Sequence, residues 1–170
     1  YKVLVVDADP NINTASSLGI LADVADKIVP LSENEALIQE KTGVAPGRSY
    51  GQLFRLTPTV SDVVENFGVV GPDGVKLLVM GTVKGGDTGC MCPANALVRS
   101  LLRHLIMRRN EADIIDMEAG TEHFGRRTAE SVDVVLVVAD ANLKSLETAR
   151  SIHNLSKEMG VRSCLLYTSD

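Results

Sequence analysis

The sequence predicts an α/β fold: a doubly wound, mostly parallel sheet. Three observations predict it. Short strand-like runs alternate with helical patterns along the 170 residues, which is how repeated βα units look in sequence. The runs are apolar at successive positions rather than alternate ones, as strands covered on both faces require. Acidic residues gather just after the runs, where open α/β sheets bind their ligands.

Taken in order, the first strand is Lys2 to Val6, "KVLVV", ending at Asp7. Glu33 to Lys41 is a short helix. Gly43 to Pro58 is rich in Gly, Pro and Thr and reads as loop. Val75 to Met80, "VKLLVM", is the second strand. A glycine-rich stretch, "TVKGGDTGCMCPANAL", then leads into a helix. Pro93 suits the first turn of that helix, and Leu97, Leu101, Leu102, Leu105 and Ile106 follow at helical spacing. Ala112 to Met117, "ADIIDM", and Val132 to Ala139, "VDVVLVVA", are the third and fourth strands. Leu143 to Met159 is a helix with Leu146, Ala149, Ile152, His153, Leu155 and Met159 roughly on one face. Val161 to Tyr167 is a fifth strand. Met107, Met117 and Met159 read as core.

Composition narrows the function. The length suits one domain with a real core. The net charge is -5 without a basic cluster, which argues against direct nucleic-acid binding. The longest apolar runs have strand length, so no membrane span is expected. Three cysteines, an odd number, argue against a disulfide framework and for reduced thiols in the cytoplasm. The sequence starts at Tyr1 inside an apolar run, with no Met or cap before it. We therefore expect residues 1–170 to be a single truncated domain.

Two strand ends carry carboxylates. "VVDADPN" places Asp7 and Asp9 after the first strand, and "IIDMEAG" places Asp116 and Glu118 after the third, with Gly120 beyond. Turns favour Asp for ordinary reasons, so either motif alone says little. On two strands of one parallel sheet they can converge on one crevice. There they suit a hard cation such as Mg²⁺, which takes oxygen ligands and keeps waters, and a carboxylate can place a water for attack on a phosphoryl group. A phosphate loop also needs Gly-Lys-Ser/Thr, and that tripeptide is absent. The nearest stretch, "KGGDTGC", fails because Gly89 is followed by Cys90, Met91 and Cys92. The phosphate loop is expected upstream of Tyr1.

Cys90 and Cys92 flank one residue just before a helix start, where the free N–H groups and the helix dipole favour thiolate. Two thiolates are half of a tetrahedral zinc shell. The other half comes from His104 or His123, or more simply from a second copy across a two-fold axis. The alternative is a pair of small thiols with no ligand. Cys164 has no partner at this spacing. Arg126 and Arg127 could meet phosphate or a partner, although a solvated face explains them better.

Beyond these separate signals, "YKVLVVDADPN", "GVKLLVMGTV", "GCMCPANALVRSLL", "IIDMEAGTEHFGR" and "DVVLVVADANLKSLETA" together resemble the CooC-type ATPases. These are nickel-insertion accessory proteins of carbon monoxide dehydrogenase, in the MinD/ParA group of phosphate-loop NTPases and related to the nitrogenase iron protein. The resemblance covers most of residues 1–160. It implies that Asp9 is the switch aspartate placing the attacking water and that Asp7 sits near Mg²⁺ on the same strand end. It implies that Asp116 holds Mg²⁺ through water and that the Gly120 backbone senses the γ-phosphate. It implies that Cys90 and Cys92 bind Ni²⁺ or Zn²⁺ between two protomers of a homodimer whose closure follows ATP binding. Catalysis would then rest on Asp9 and Asp116. Residues 162–170, "RSCLLYTSD", depart from the family pattern and read as a non-native tail.

Four functions remain in play. The first is the ATP-dependent metallochaperone, with carbon monoxide dehydrogenase as partner. The second is a partitioning or septum-site ATPase of the same fold; the cysteine pair and the lack of a basic patch oppose it. The third is an electron carrier like the nitrogenase iron protein, whose cluster cysteines lie far apart in sequence, unlike these. The fourth is a metal-binding module without enzymatic activity.

Overall fold

The computed structural model describes residues 2–9, 11–46, 52–81, 92–106, 111–117 and 132–168. It forms two compact units, Tyr1–Met117 and Glu118–Asp170.

The first unit is built on a sheet of order β2-β3-β1-β4. Its strands are β1 (Lys2–Ala8), β2 (Val69–Val70), β3 (Lys76–Val79) and β4 (Glu111–Met117). β1 is central and parallel to both β3 and β4, and the short β2 closes the edge antiparallel to β3. The expected apolar coverage of both faces holds for β1 and β3. Leu4, Val6, Leu78 and Met80 enter one cluster with helical leucines, while Val5, Leu77 and Val79 enter another with Ala15 and Ile20. Period-two alternation sends successive side chains to opposite faces, so an unbroken apolar run is what a doubly covered strand needs.

Coverage on both faces does not extend to every expected strand. In β4, Ile114 is exposed. In the second unit, β5 (Val134–Ala139) pairs in parallel with β6 (Ser163–Thr168). Val135, Val137 and Ala139 pack on Ala149 and Ile152 of α6 (Leu143–Glu158). Val134, Leu136 and Val138 on the other face are exposed. The described residues supply one helical layer here, and a β-branched run is apolar on both sides whether or not both are covered. Of the positions expected on the buried face of α6, Ala149 and Ile152 are buried, joined by Ser156, whereas Leu146 and His153 are exposed. Met117 and Met159 are half-buried rather than core, and Met107 lies outside the described residues. The fifth strand falls where expected, within the stretch that departs from the family pattern.

The long helices follow their sequence signals. α5 (Cys92–Ile106) begins at the Cys92–Pro93 step and buries Ala94, Leu97, Leu101 and Leu105 against the sheet cluster. α3 (Glu35–Thr42) is capped by Asn34, whose side chain accepts from the Leu37 N–H at 3.0 Å. It ends at Gly43, whose φ of 90° is left-handed. Three short helices carry too few residues for periodicity to show: α1 (Thr14–Ser17), α2 (Ala22–Ala25) and α4 (Val63–Phe67). Among the described residues no helix is long and apolar enough to cross a membrane.

Lys41, near the end of α3, grips both Asp62 carboxylate oxygens at 2.7 and 2.9 Å, just before α4. The Lys41 hydrogen bond holds the Asp62 carboxyl below its ordinary 3.8, and the Asp62 bond in turn raises Lys41 above 10.5. A depressed carboxyl stabilises the fold above its unfolded value and stops doing so as pH falls through its folded value. A raised amine stabilises below its unfolded value and loses this as pH rises through its folded one. Wild type should therefore have a higher urea midpoint than Asp62→Asn from about pH 5 to about pH 9. The gap should close in more acidic and in more alkaline solution. Asp62 is partly exposed, so the gap should be small and shrink with salt.

Candidate functional site

The site grows from the C-terminal ends of β1 and β4. These strands pair along their full length, from Lys2 opposite Glu111 to Ala8 opposite Met117. That register sets Asp7 beside Asp116, with Asp9 two residues further on. The first expected strand end lay at Val6; the structure carries β1 through Asp7 to Ala8.

The three carboxylates are held differently. Asp7 is 0% exposed. One of its oxygens accepts from the Asp9 N–H at 3.2 Å and the other from the Thr14 N–H at 3.3 Å. A buried carboxylate needs such donors, and here they come from the turn that follows the strand. Asp7 therefore shapes the loop that carries Asp9. Asp9 is half-buried, and its Oδ1 accepts from the Asn11 N–H at 2.6 Å, an Asx turn. Asp116 is exposed, and its Oδ2 accepts from the Thr14 hydroxyl at 3.1 Å. Thr14 thus touches both strand ends through two different groups.

The neighbouring strand is pinned to the same place. Met80 N–H donates to the Asp7 carbonyl at 2.8 Å, while the Val79 and Met80 carbonyls accept from Leu31 and Ser32 N–H. Gly81 then turns with φ 65°, and a Cβ there would lie 2.7 Å from Pro30 and Ser32 atoms. Only glycine fits so close to both, and from it the chain enters the Gly-rich stretch.

Asp7, Asp9 and Asp116, expected together from the sequence, are thus brought to one end of the β1–β4 pair. Thr14 was missed. Its signal was faint: an Asn-Thr pair at a short helix start after a strand, a common capping pattern. Cys90, Gly120, His123, Arg126 and Arg127 lie outside the described residues, as does the side chain of Cys92. The backbone of Cys92 opens α5, so an ion held there would sit at a helix start. His104 is on the same unbroken helix, twelve residues on. At about 1.5 Å per residue it lies about 18 Å away, which removes it as a donor to an ion held by Cys92 of its own chain.

Near the strand ends the available ligands are carboxylate and hydroxyl oxygens. They fit a hard, partly hydrated cation such as Mg²⁺, which binds through one or two carboxylates and keeps its waters. Among the described residues no three His, Cys, Asp or Glu side chains converge into a metal cage.

Comparison with known proteins bears on the fold and on sequence likeness. No family model matches the chain. It is 45% identical over 164 residues to an uncharacterized ATP-binding protein of Methanocaldococcus jannaschii, covering 96% of this chain and 61% of the relative. It is 43% identical over 163 residues to the carbon monoxide dehydrogenase accessory protein CooC of Rhodospirillum rubrum, with the same coverages of 96% and 61%. The chain thus spans about three fifths of the length of these relatives. A plasmid partition protein from Borrelia burgdorferi superposes with TM-score 0.55 at 11% identity, over 98% of this chain and 64% of that one. A ParA family ATPase from Chlorobium tepidum gives 0.52 at 13%, over 98% and 60%. Such low identity shows shared fold alone. Over 96% of its own length the chain is thus similar in sequence to the CooC accessory protein, and it shares its fold with the plasmid partition protein and the ParA family ATPase.

Proposed function

We propose that this chain is the switch-bearing part of an ATP hydrolase that assists nickel insertion into carbon monoxide dehydrogenase. One observation carries the reading: Asp7 lies beside Asp116 at adjacent parallel strand ends, with Asp9 two residues on, in a chain 43% identical to a carbon monoxide dehydrogenase accessory protein. The opposing possibility, a partitioning ATPase, rests on fold likeness alone.

Each residue has a task in this reading. Asp116, exposed and with Oδ2 held by Thr14, offers its other oxygen to the water shell of Mg²⁺. Bound Mg²⁺ supplies charge neutralisation on the phosphate oxygens. Asp9 orients a water for in-line attack. Asp7 keeps the Asp9 turn in shape by taking its backbone N–H groups. The Gly120 backbone is assigned to sensing the γ-phosphate. Cys90 and Cys92 are assigned to holding the cargo ion, Ni²⁺ or Zn²⁺, between two copies of the chain.

No Gly-Lys-Ser/Thr occurs in the 170 residues, so the phosphate cradle is assigned to no residue here. The chain by itself should release no phosphate from Mg-ATP. The full-length protein should release it, and Asp116→Ala should weaken its response to Mg²⁺. Phosphate release is the measurement. Turnover by the 170-residue chain that Asp9→Asn abolishes would reveal a cradle within it. An inactive full-length protein would sink the hydrolase reading.

A further inference from the structure

We propose that Thr14 is the positioning residue for Asp116, setting how that carboxylate meets Mg²⁺; this rests on the Mg-ATP reading above. Thr14 is 7% exposed and sits at the start of α1. Its hydroxyl donates to Asp116 Oδ2 at 3.1 Å, across 102 positions of sequence. Its amide donates to Asp7 Oδ2 at 3.3 Å.

An exposed aspartate at a strand end can rotate about two side-chain bonds. A hydrogen bond from a buried hydroxyl selects one orientation and commits one oxygen, leaving the other for a hydrated cation. Losing a group that orients a ligating side chain typically costs about 10- to 100-fold in metal affinity or activity. Thr14 is suited to the task because branching at Cβ restricts its χ1 rotation, and its amide is already fixed on the buried Asp7. The same residue ties Asp9, whose N–H shares the Asp7 carboxylate with the Thr14 N–H, to the end of β4. The water-placing acid and the cation-holding acid are therefore registered through one side chain. Asp7 and Asp116 are strand neighbours, and Thr14 donates to both, through its amide to Asp7 and its hydroxyl to Asp116.

The test uses the full-length protein, a fluorescent ATP analogue at fixed concentration, and Mg²⁺ as the titrant. Thr14→Val keeps the shape and the amide and deletes the hydroxyl. It should raise the Mg²⁺ midpoint about tenfold, the lower end for lost outer-sphere support. Thr14→Ser restores the donor and should titrate close to wild type. Binding of the analogue without Mg²⁺ should be the same in all three, and thermal unfolding without ligand shows that each is folded. A wild-type midpoint for Thr14→Val overturns the proposal, as does a Ser variant displaced as far as Val. Asp116→Asn separates the two levels of the claim. If it shifts the midpoint while Thr14→Val does not, Thr14 alone is misassigned. If Asp116→Asn has no effect, the cation role of Asp116 falls and the Thr14 proposal falls with it.

Discussion

In the full-length protein, Asp9→Asn should leave ATP affinity close to wild type and lower kcat by about 10²- to 10⁴-fold, the range for losing a positioned acid–base group. That corresponds to roughly 3–5 kcal/mol of transition-state stabilisation. The substitution is gentle on structure for a specific reason. Asp9 Oδ1 accepts from the Asn11 N–H, and an asparagine carbonyl oxygen can accept the same bond. The Asp9 backbone N–H stays on Asp7. Only the negative charge and the second acceptor oxygen disappear, and these are what place and polarise a water. Asp7 would not tolerate the same change so well. Both its oxygens accept backbone N–H groups, so an amide nitrogen there would face a donor, with nowhere to go in a buried position. The measurement is steady-state phosphate release with nucleotide affinity determined separately. A fall in kcat with unchanged affinity marks an interaction made in the transition state. Wild-type turnover would remove Asp9 from the hydrolytic role, and an equal loss of affinity would place it in ground-state binding.

Much of the fold was legible because burial writes itself into sequence periodicity. β1 and β3 read as unbroken apolar runs because both their faces are buried. α5 read clearly because Leu97, Leu101 and Leu105 recur every four residues and all are buried. The short helices α1, α2 and α4 were illegible because four or five residues complete hardly more than one turn. β2 has two residues and no pattern to show. The open face of β5 was misjudged because Val134, Leu136 and Val138 have strand propensity regardless of cover.

The site divides along a similar line. Asp7, Asp9 and Asp116 were legible because acid after an apolar run is a local pattern. Their convergence followed from the parallel-sheet pattern, but the β1–β4 register that sets Asp7 beside Asp116, more than a hundred positions away, did not show in the sequence. Thr14 was invisible for the same reason: its meaning lies in a contact with Asp116, and nothing within its own stretch announces that. Asp7 also changed character. It was expected near the cation, and the structure spends both its oxygens on the backbone of the following turn.

Metal should dimerise the full-length protein, and Cys90→Ser/Cys92→Ser should abolish this. A Cys-x-Cys segment gives two thiolates, and one intervening residue cannot bring in two further ligands. Zn²⁺ takes four donors in a tetrahedron, and Ni²⁺ with soft ligands commonly takes four in a plane. Within one chain the described structure offers no completion: α5 carries His104 about 18 Å beyond Cys92. A second copy supplies another Cys90 and Cys92 without any new residue, and two-fold symmetry brings identical loops face to face. One ion then binds per two chains, so metal and self-association become linked by mass action. The helix start at Cys92 favours the thiolate forms that such an ion needs. α5 also offers a route from loop to sheet, because its Leu97 and Leu101 pack in the same cluster as Val6 of β1, next to Asp7. The measurement is Zn²⁺ or Ni²⁺ titration with molar mass followed by light scattering, on wild type and the double serine variant. The expected result is a doubling of mass that saturates at one ion per two wild-type chains, with the variant remaining at monomer mass. Saturation at one ion per chain, or a variant that dimerises with metal as wild type does, would falsify the shared site.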